Sequence, residues 1–329
     1  MDSDRSYSAI RDASVEATLA RELPALARSV AALNLSGVAG LALGGGYGRG
    51  EGGAKDGRPY NDLDIFVFSD LPEGRSGEIA GALEPVSREY TARLGVDVDF
   101  TVRVAARLRL DERRLMVQEL LRGHEVLSPE GFDLARWAGL REYPAAEVPA
   151  MEAARLLMNR GMGLAFASGR FLSPQFDPER DGGFVARNLN KAVLGAGDAV
   201  LVARGEYAWS VRERAKRLAD AGYDEAVSWK FSPSDRAPSE FPRRWRAARV
   251  AWLAAEAELV SRCGGELSRR SLYQALRWLK RRHSAGRLSE TGLDCTVRVL
   301  REVRKLLERC PDGVPEVPAG LLRDWQTFN

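Results

Sequence analysis

The spacing of apolar residues changes character near residue 38. Before it, Leu19, Leu23, Leu26, Val30 and Leu33 recur at steps of three and four, which predicts a helix over residues 6–33 with Pro24 as a point of kinking or division. Residues 38–43 then form a continuous apolar run that reads as a buried strand. The run breaks into glycines, Leu43-Gly44-Gly45-Gly46-Tyr47-Gly48-Arg49-Gly50-Glu51. Residues 62–68 alternate, with Leu63, Ile65 and Val67 on one face and Asp62 and Asp64 on the other. A turn at 69–74 leads to a helix over 77–94 striped by Ile79, Leu83, Val86 and Tyr90. Residues 95–102 read as a third strand, with Asp97 and Asp99 sharing a face opposite Val96, Val98 and Phe100. A helix over 108–122 and a short strand at 123–127 follow, with His124 read as a loop or cap residue. Residues 129–149 are loop-rich.

Beyond that point the period is helical throughout. Helices are expected over 150–169, 184–204, 207–221, 242–262, 268–283 and 289–310, with a turn-rich link at 231–239 and a proline-bearing tail from Pro311 wrapping the surface. No internal repeat is visible. The pattern predicts an α+β domain with a small mixed sheet over residues 1–145, followed by an all-α helical bundle over 146–329.

Asp62 and Asp64 bring two carboxylates together on one strand face, where they repel unless a cation lies between them. Mg²⁺ or Mn²⁺ suits such oxygen donors when phosphate oxygens complete the shell. The glycines permit close backbone approach to a phosphate and positive φ, and N–H groups of a following helix would favour an anion. A phosphate cradle leading into a carboxylate pair is a layout for metal-assisted phosphoryl or nucleotidyl transfer.

The stretch Gly45-Gly46-Tyr47-Gly48-Arg49-Gly50-Glu51 with Asn61-Asp62-Leu63-Asp64-Ile65-Phe66-Val67 resembles the signature of the DNA polymerase β-like nucleotidyltransferase superfamily. It looks most like the bacterial minimal and aminoglycoside nucleotidyltransferases, which often read Gly-Ser-x-Ala-Arg-Gly-Glu and then Ser-Asp-Ile-Asp-Leu. Gly46 stands in place of that Ser and Gly48 in place of the Ala. The segment between the two motifs, residues 52–59, is a longer, turn-rich loop. The resemblance covers about the first third of the chain and is architectural beyond it. It implies an α/β-type nucleotidyltransferase domain in which Asp62 and Asp64 hold Mg²⁺ against the phosphates of an NTP, ATP being expected. Gly45, Gly46, Tyr47 and Arg49 would contact nucleotide, although Arg49 is also placed for a salt bridge with Glu51. A third carboxylate on a neighbouring strand, Asp99 first and Asp97 second, would complete the metal site or take the acceptor's proton. The helical part would close the nucleotide and acceptor cleft, with Lys191 and Arg187 meeting the triphosphate. Arg187, Lys191 and Asp198 fall near one helix face, so pairing of Lys191 with Asp198 or Asp181 is the structural alternative. Arg155 and Asn159 are likewise four apart.

Other motifs fit less well. Gly48-x-Gly50-x-x-Gly53 matches a dinucleotide fingerprint, but residues 51–57 make a poor helix start. Walker A and protein-kinase landmarks are absent. Composition adds bounds. With 329 residues, 45% hydrophobic, the chain can bury a full core as one large or two ordinary domains, and a net charge of +3 gives little footing for a long nucleic-acid interface. Three cysteines and two histidines lack metal or disulfide spacing. The opening residues lack the basic region and apolar run of a signal peptide, and no run of about 18 residues reads as a membrane span. A reduced cytoplasmic protein is expected. The Ala, Arg and Gly content suggests a GC-rich bacterial genome.

The expected activity is transfer of a nucleoside monophosphate, AMP first, from an NTP to a hydroxyl with release of pyrophosphate. The acceptor is a small molecule, a protein side chain or an RNA end, with no DNA or membrane partner. Two alternatives stay open: a nucleotide-binding regulator without turnover, and an antitoxin-like module acting on a protein or RNA.

Overall fold

The computed structural model describes residues 6–284 and 296–328. In chain order the elements are α1 Ala13–Ala32, β1 Val38–Leu43, α2 Gly45–Gly48, β2 Ala54–Lys55, β3 Arg58–Pro59, β4 Leu63–Ser69, α3 Ser76–Leu94, β5 Val98–Val104, α4 Ala105–Leu110, α5 Leu115–Arg122, β6 Glu125–Ser128 and α6 Leu134–Ala138. They continue with α7 Ala150–Phe171, α8 Pro178–Arg204, α9 Val211–Leu218, α10 Ala221–Phe231, α11 Phe241–Ser284, α12 Thr296–Arg309 and α13 Ala319–Phe328. The class is mixed α+β, with a small four-stranded mixed sheet and many helices.

The chain divides into two compact units. The first runs to Pro144 and also takes in Trp209–Val211 and Ser228–Ser234; the rest forms the second. Thus two short segments far beyond residue 145 fold with the sheet.

In the first unit the sheet order is β5-β4-β1-β6. β1 is antiparallel to both β4 and β6, while β4 and β5 are parallel and joined through α3. Both faces are covered. Leu41, Leu43, Leu63, Ile65, Val67 and Val98 pack against α1 and α3. Ala42, Phe66 and Phe68 pack against α4, α5 and α6. The Asp-bearing face of β4 is therefore core along most of its length, and only its first residues lie near solvent.

Several boundaries differ from the sequence expectation for local reasons. α1 starts late because Asp12 caps it, accepting from the N–H groups of Ser14 and Val15; Pro24 sits inside it without ending it. Residues 54–59 form a small hairpin rather than a loop, turning at Asp56 (φ 52°) and Gly57 (φ 72°). The helix expected over 108–122 is two helices, α4 and α5, broken at residues 111–114.

In the second unit α7, α8, α11 and α12 pack on one another. Trp245 and Trp252 are fully buried, and their indole N–H groups donate to the carbonyls of Leu164 (2.9 Å) and Leu157 (2.8 Å). The two helices expected over 242–262 and 268–283 are one, α11, which runs through Gly264 and Gly265. The tail contains α13 rather than only extended chain. The expected start of the last long helix, residues 289–295, lies outside the described residues. Among the described residues no helix is long and apolar enough to cross a membrane.

Candidate functional site

Three features of the first unit meet where β1 ends and β4 begins. β1 leaves the sheet at Leu43, the register partner of Ile65, and the Gly44 N–H donates to the Asp64 carbonyl (2.8 Å). The chain then coils into the single turn α2. Gly45 takes φ 59°, and a Cβ there would fall on Asp64 Oδ2. This position requires glycine twice over, for its backbone and for the carboxylate packed against it. Gly46 differs: a Cβ there would lie 3.5 Å from the Glu51 carbonyl oxygen, an ordinary contact, so the Ser of the resembled motif would fit. Gly48 has no such room, since a Cβ would lie 2.5 Å from the Leu43 carbonyl oxygen, and the Ala of that motif would not fit unchanged.

The carboxylates line up across two strands. Asp64 and Asp99 are register partners on β4 and β5, and neighbours in register share a face. Asp62 and Asp97 each lie just before their strand. Partial desolvation at the strand end first, then the charges of Asp62 and Asp97, push the Asp99 carboxyl above its ordinary value. Like charges thus act on one another at this strand end. Among the described residues, however, no three of His, Cys, Asp and Glu come together as a metal cage. Asp62, Asp64 and Asp99 are thus neighbours at one strand end without forming a closed three-carboxylate cage. Asp99 is exposed, on the edge strand. The donor set fits a divalent ion on Asp62 and Asp64 whose shell is completed by phosphate and water oxygens.

The Tyr47 side chain is a pillar of the turn. It is 1% exposed. Its hydroxyl donates to the Gly53 carbonyl (2.6 Å) and accepts from the N–H groups of Tyr60 (2.9 Å) and Asn61 (3.3 Å). Burial pushes this phenol up to about 12. The Asn61 side chain accepts from the Gly53 N–H (2.7 Å). Tyr47 and Asn61 together tie the hairpin insertion to the residue before Asp62, so the longer gap between the motifs still delivers the carboxylates to the glycine turn. Arg49 is drawn inward by Glu119 (3.1 Å) and Glu51 (3.6 Å), so its guanidinium serves the packing of α2 against α5.

Sequence reasoning missed what the late segments bring. Glu51, 7% exposed, accepts from Ser210 Oγ (2.9 Å) and the Val211 N–H (2.8 Å). Lys230 Nζ donates to the Glu51 carbonyl (3.0 Å), and Trp229 meets the Tyr60 ring edge-on at 5.7 Å. The available signal was helical spacing of Tyr223, Ala226, Val227 and Phe231, all buried, in a stretch the sequence reading passed over.

Arg187 and Lys191 stand one turn apart on α8 in the second unit. Of the carboxylates considered beside Lys191, Asp198 pairs with Arg214 (2.8 Å), and Asp181 pairs with Arg180 (2.8 Å) and Arg170 (3.5 Å). Arg155 pairs with Glu152 (2.5 Å), and Asn159 accepts from the Trp325 indole (2.9 Å).

A scan against protein-family models finds no matching family, and searches of curated proteins and of solved structures find no match to the chain.

Proposed function

We propose that the chain is a Mg²⁺-dependent nucleotidyltransferase that moves a nucleoside monophosphate, AMP first, from an NTP to a hydroxyl group and releases pyrophosphate. The observation that carries this reading is the packing of the Asp64 carboxylate on Gly45: the phosphate-side turn and the carboxylate strand are built as one piece. Asp62 and Asp64 would hold the metal, whose contribution is to offset phosphate charge and orient the transferred group. Asp99 lies in register with Asp64, and its raised carboxyl suits it to accept the acceptor's proton. The acceptor oxygen would then form its bond to the α-phosphorus as the bond to pyrophosphate breaks. Gly45 and Gly46 would receive that leaving group. The first unit would be the nucleotidyltransferase part and the helical unit an addition to it, with Arg187 and Lys191 its candidates for phosphate contact. A cytoplasmic location belongs to the same reading. The acceptor is a small hydroxylated molecule, a protein side chain or an RNA end.

Incubation with α-labelled NTPs, Mg²⁺ and acceptors of each class is the test. Label carried onto one acceptor class, with pyrophosphate formed, supports the reading. NTP binding without any transfer would favour a nucleotide-binding regulator instead.

A further inference from the structure

We infer that Lys230 binds the terminal phosphates of the nucleotide and makes the site selective for a triphosphate. The inference rests on the nucleotidyltransferase reading and adds to it a residue from the late chain. The last turn of α10 is fixed from several sides within the first unit. The Trp229 indole donates to the Ser234 carbonyl (2.9 Å), and Phe231 is 4% exposed. A Cβ on Gly53 would lie 2.5 Å from the Lys230 carbonyl oxygen, so backbone meets backbone there. The ammonium that this placement delivers is 3.0 Å from the Glu51 carbonyl and 3.6 Å from where a Gly46 Cβ would be.

Gly45 and Gly46 are therefore flanked by opposite charges: the Asp64 carboxylate lies against the first and the Lys230 ammonium against the second. A bare divalent cation would satisfy the carboxylate side and be repelled by the lysine. A bare anion would do the reverse. A divalent cation chelated by a polyphosphate carries both charges in the required order, its metal toward the aspartates and its outer phosphates toward the ammonium. An ammonium has three donors and acts as a compact point charge, so one N–H can stay on the Glu51 carbonyl while others turn to phosphate oxygens. The absence of a side chain at Gly46 leaves that approach open.

The test is calorimetric titration of the full chain with ATP, ADP and AMP in Mg²⁺, for wild type, Lys230→Met and Lys230→Arg. Wild type should bind ATP most tightly. Lys230→Met should weaken ATP about 10- to 100-fold, the worth of a charge-assisted hydrogen bond, and leave AMP unchanged, with Lys230→Arg in between. Equal weakening of all three nucleotides, or none, would overturn the inference and leave Lys230 a structural residue. Failure of wild type to bind ATP would instead overturn the nucleotidyltransferase reading beneath it. A second measurement needs no variant: ATP, but not AMP, should shield Lys230 from acylation mapped by mass spectrometry. Equal shielding by both, or by neither, counts against the inference.

Discussion

Two groups of carboxylates, one in each unit of this protein, are treated in opposite ways. In the helical unit Asp198 is held by Arg214 (2.8 Å) and the Tyr223 hydroxyl (2.6 Å), and Arg214 also donates to the Tyr207 hydroxyl and the Ala208 carbonyl (both 2.8 Å). Asp181 is held by Arg180 and Arg170, with the Asp177 N–H as a further donor (3.0 Å). The Arg180 hydrogen bond, aided by that N–H, lowers its carboxyl to about 2. At the start of β4 and β5 carboxylates neighbour carboxylates, and Asp99 is pushed the other way by partial desolvation, Asp62 and Asp97. A carboxylate that serves the fold is given its counter-charge by the chain. At the start of β4 and β5 the neighbouring charges instead raise Asp99, and under the proposed function the counter-charge there arrives with a ligand.

Substitutions can break this contrast, beginning with the largest effect. Asp64→Asn keeps side-chain shape but removes charge; nucleotidyl transfer should fall by on the order of 10³-fold or more, while the thermal melt stays close to wild type. Arg214→Met should do the opposite. It leaves Asp198 without its cation in the interior and should cost about 3 kcal/mol of stability, read by denaturant unfolding. Gly45→Ala should displace Asp64 and lower transfer about 100-fold, in line with the cost of misplacing a catalytic group by about 1 Å, whereas Gly46→Ala should lose at least tenfold less. Equal losses at the two glycines would remove the special role given to Gly45.

The smallest effects are in pH dependence, and the two regions should differ in sign. Asp181 is depressed in the folded state, so its contribution is present above its unfolded value and is lost as pH falls through about 2. Asp181→Asn should lower the melting temperature at pH 7, and the difference should close as pH drops from about 4 toward 2. Asp99 is raised, so ionising it works against folding: its favourable contribution is present below its unfolded value and is lost as pH rises through the folded one. Asp99→Asn should raise the melting temperature slightly at pH 7 and have no effect at the acid end.

Legibility in the sequence followed the same division. The strands at 38–43 and 62–68 could be read because apolar runs and strict alternation are local signals, and β1 and β4 form there. Alternation put Asp97 and Asp99 on one strand face, but that β5 lies beside β4 with Asp99 opposite Asp64 came only as what the family resemblance implies, because alternation does not encode which strands pair. Tyr47 looked like part of a binding loop because its motif neighbours are glycines. Its burial depends on the hairpin at 54–59 folding back to meet its hydroxyl. Lys230 was invisible as a site residue because it lies 184 residues from Gly46 in the chain, and only the folding of residues 228–234 with the first unit brings them together. α11 shows the converse: helices were expected over 242–262 and 268–283, yet one helix runs through Gly264 and Gly265 between them.

The central claim is that Asp62 and Asp64 hold a cation that comes with a phosphate ligand. Calorimetric titration of ATP into the full chain, with Mg²⁺ and then with EDTA, addresses it most directly. Binding that is at least tenfold tighter with Mg²⁺, and that loses this dependence in Asp64→Asn, is the predicted result; an ATP affinity unchanged by EDTA would contradict it.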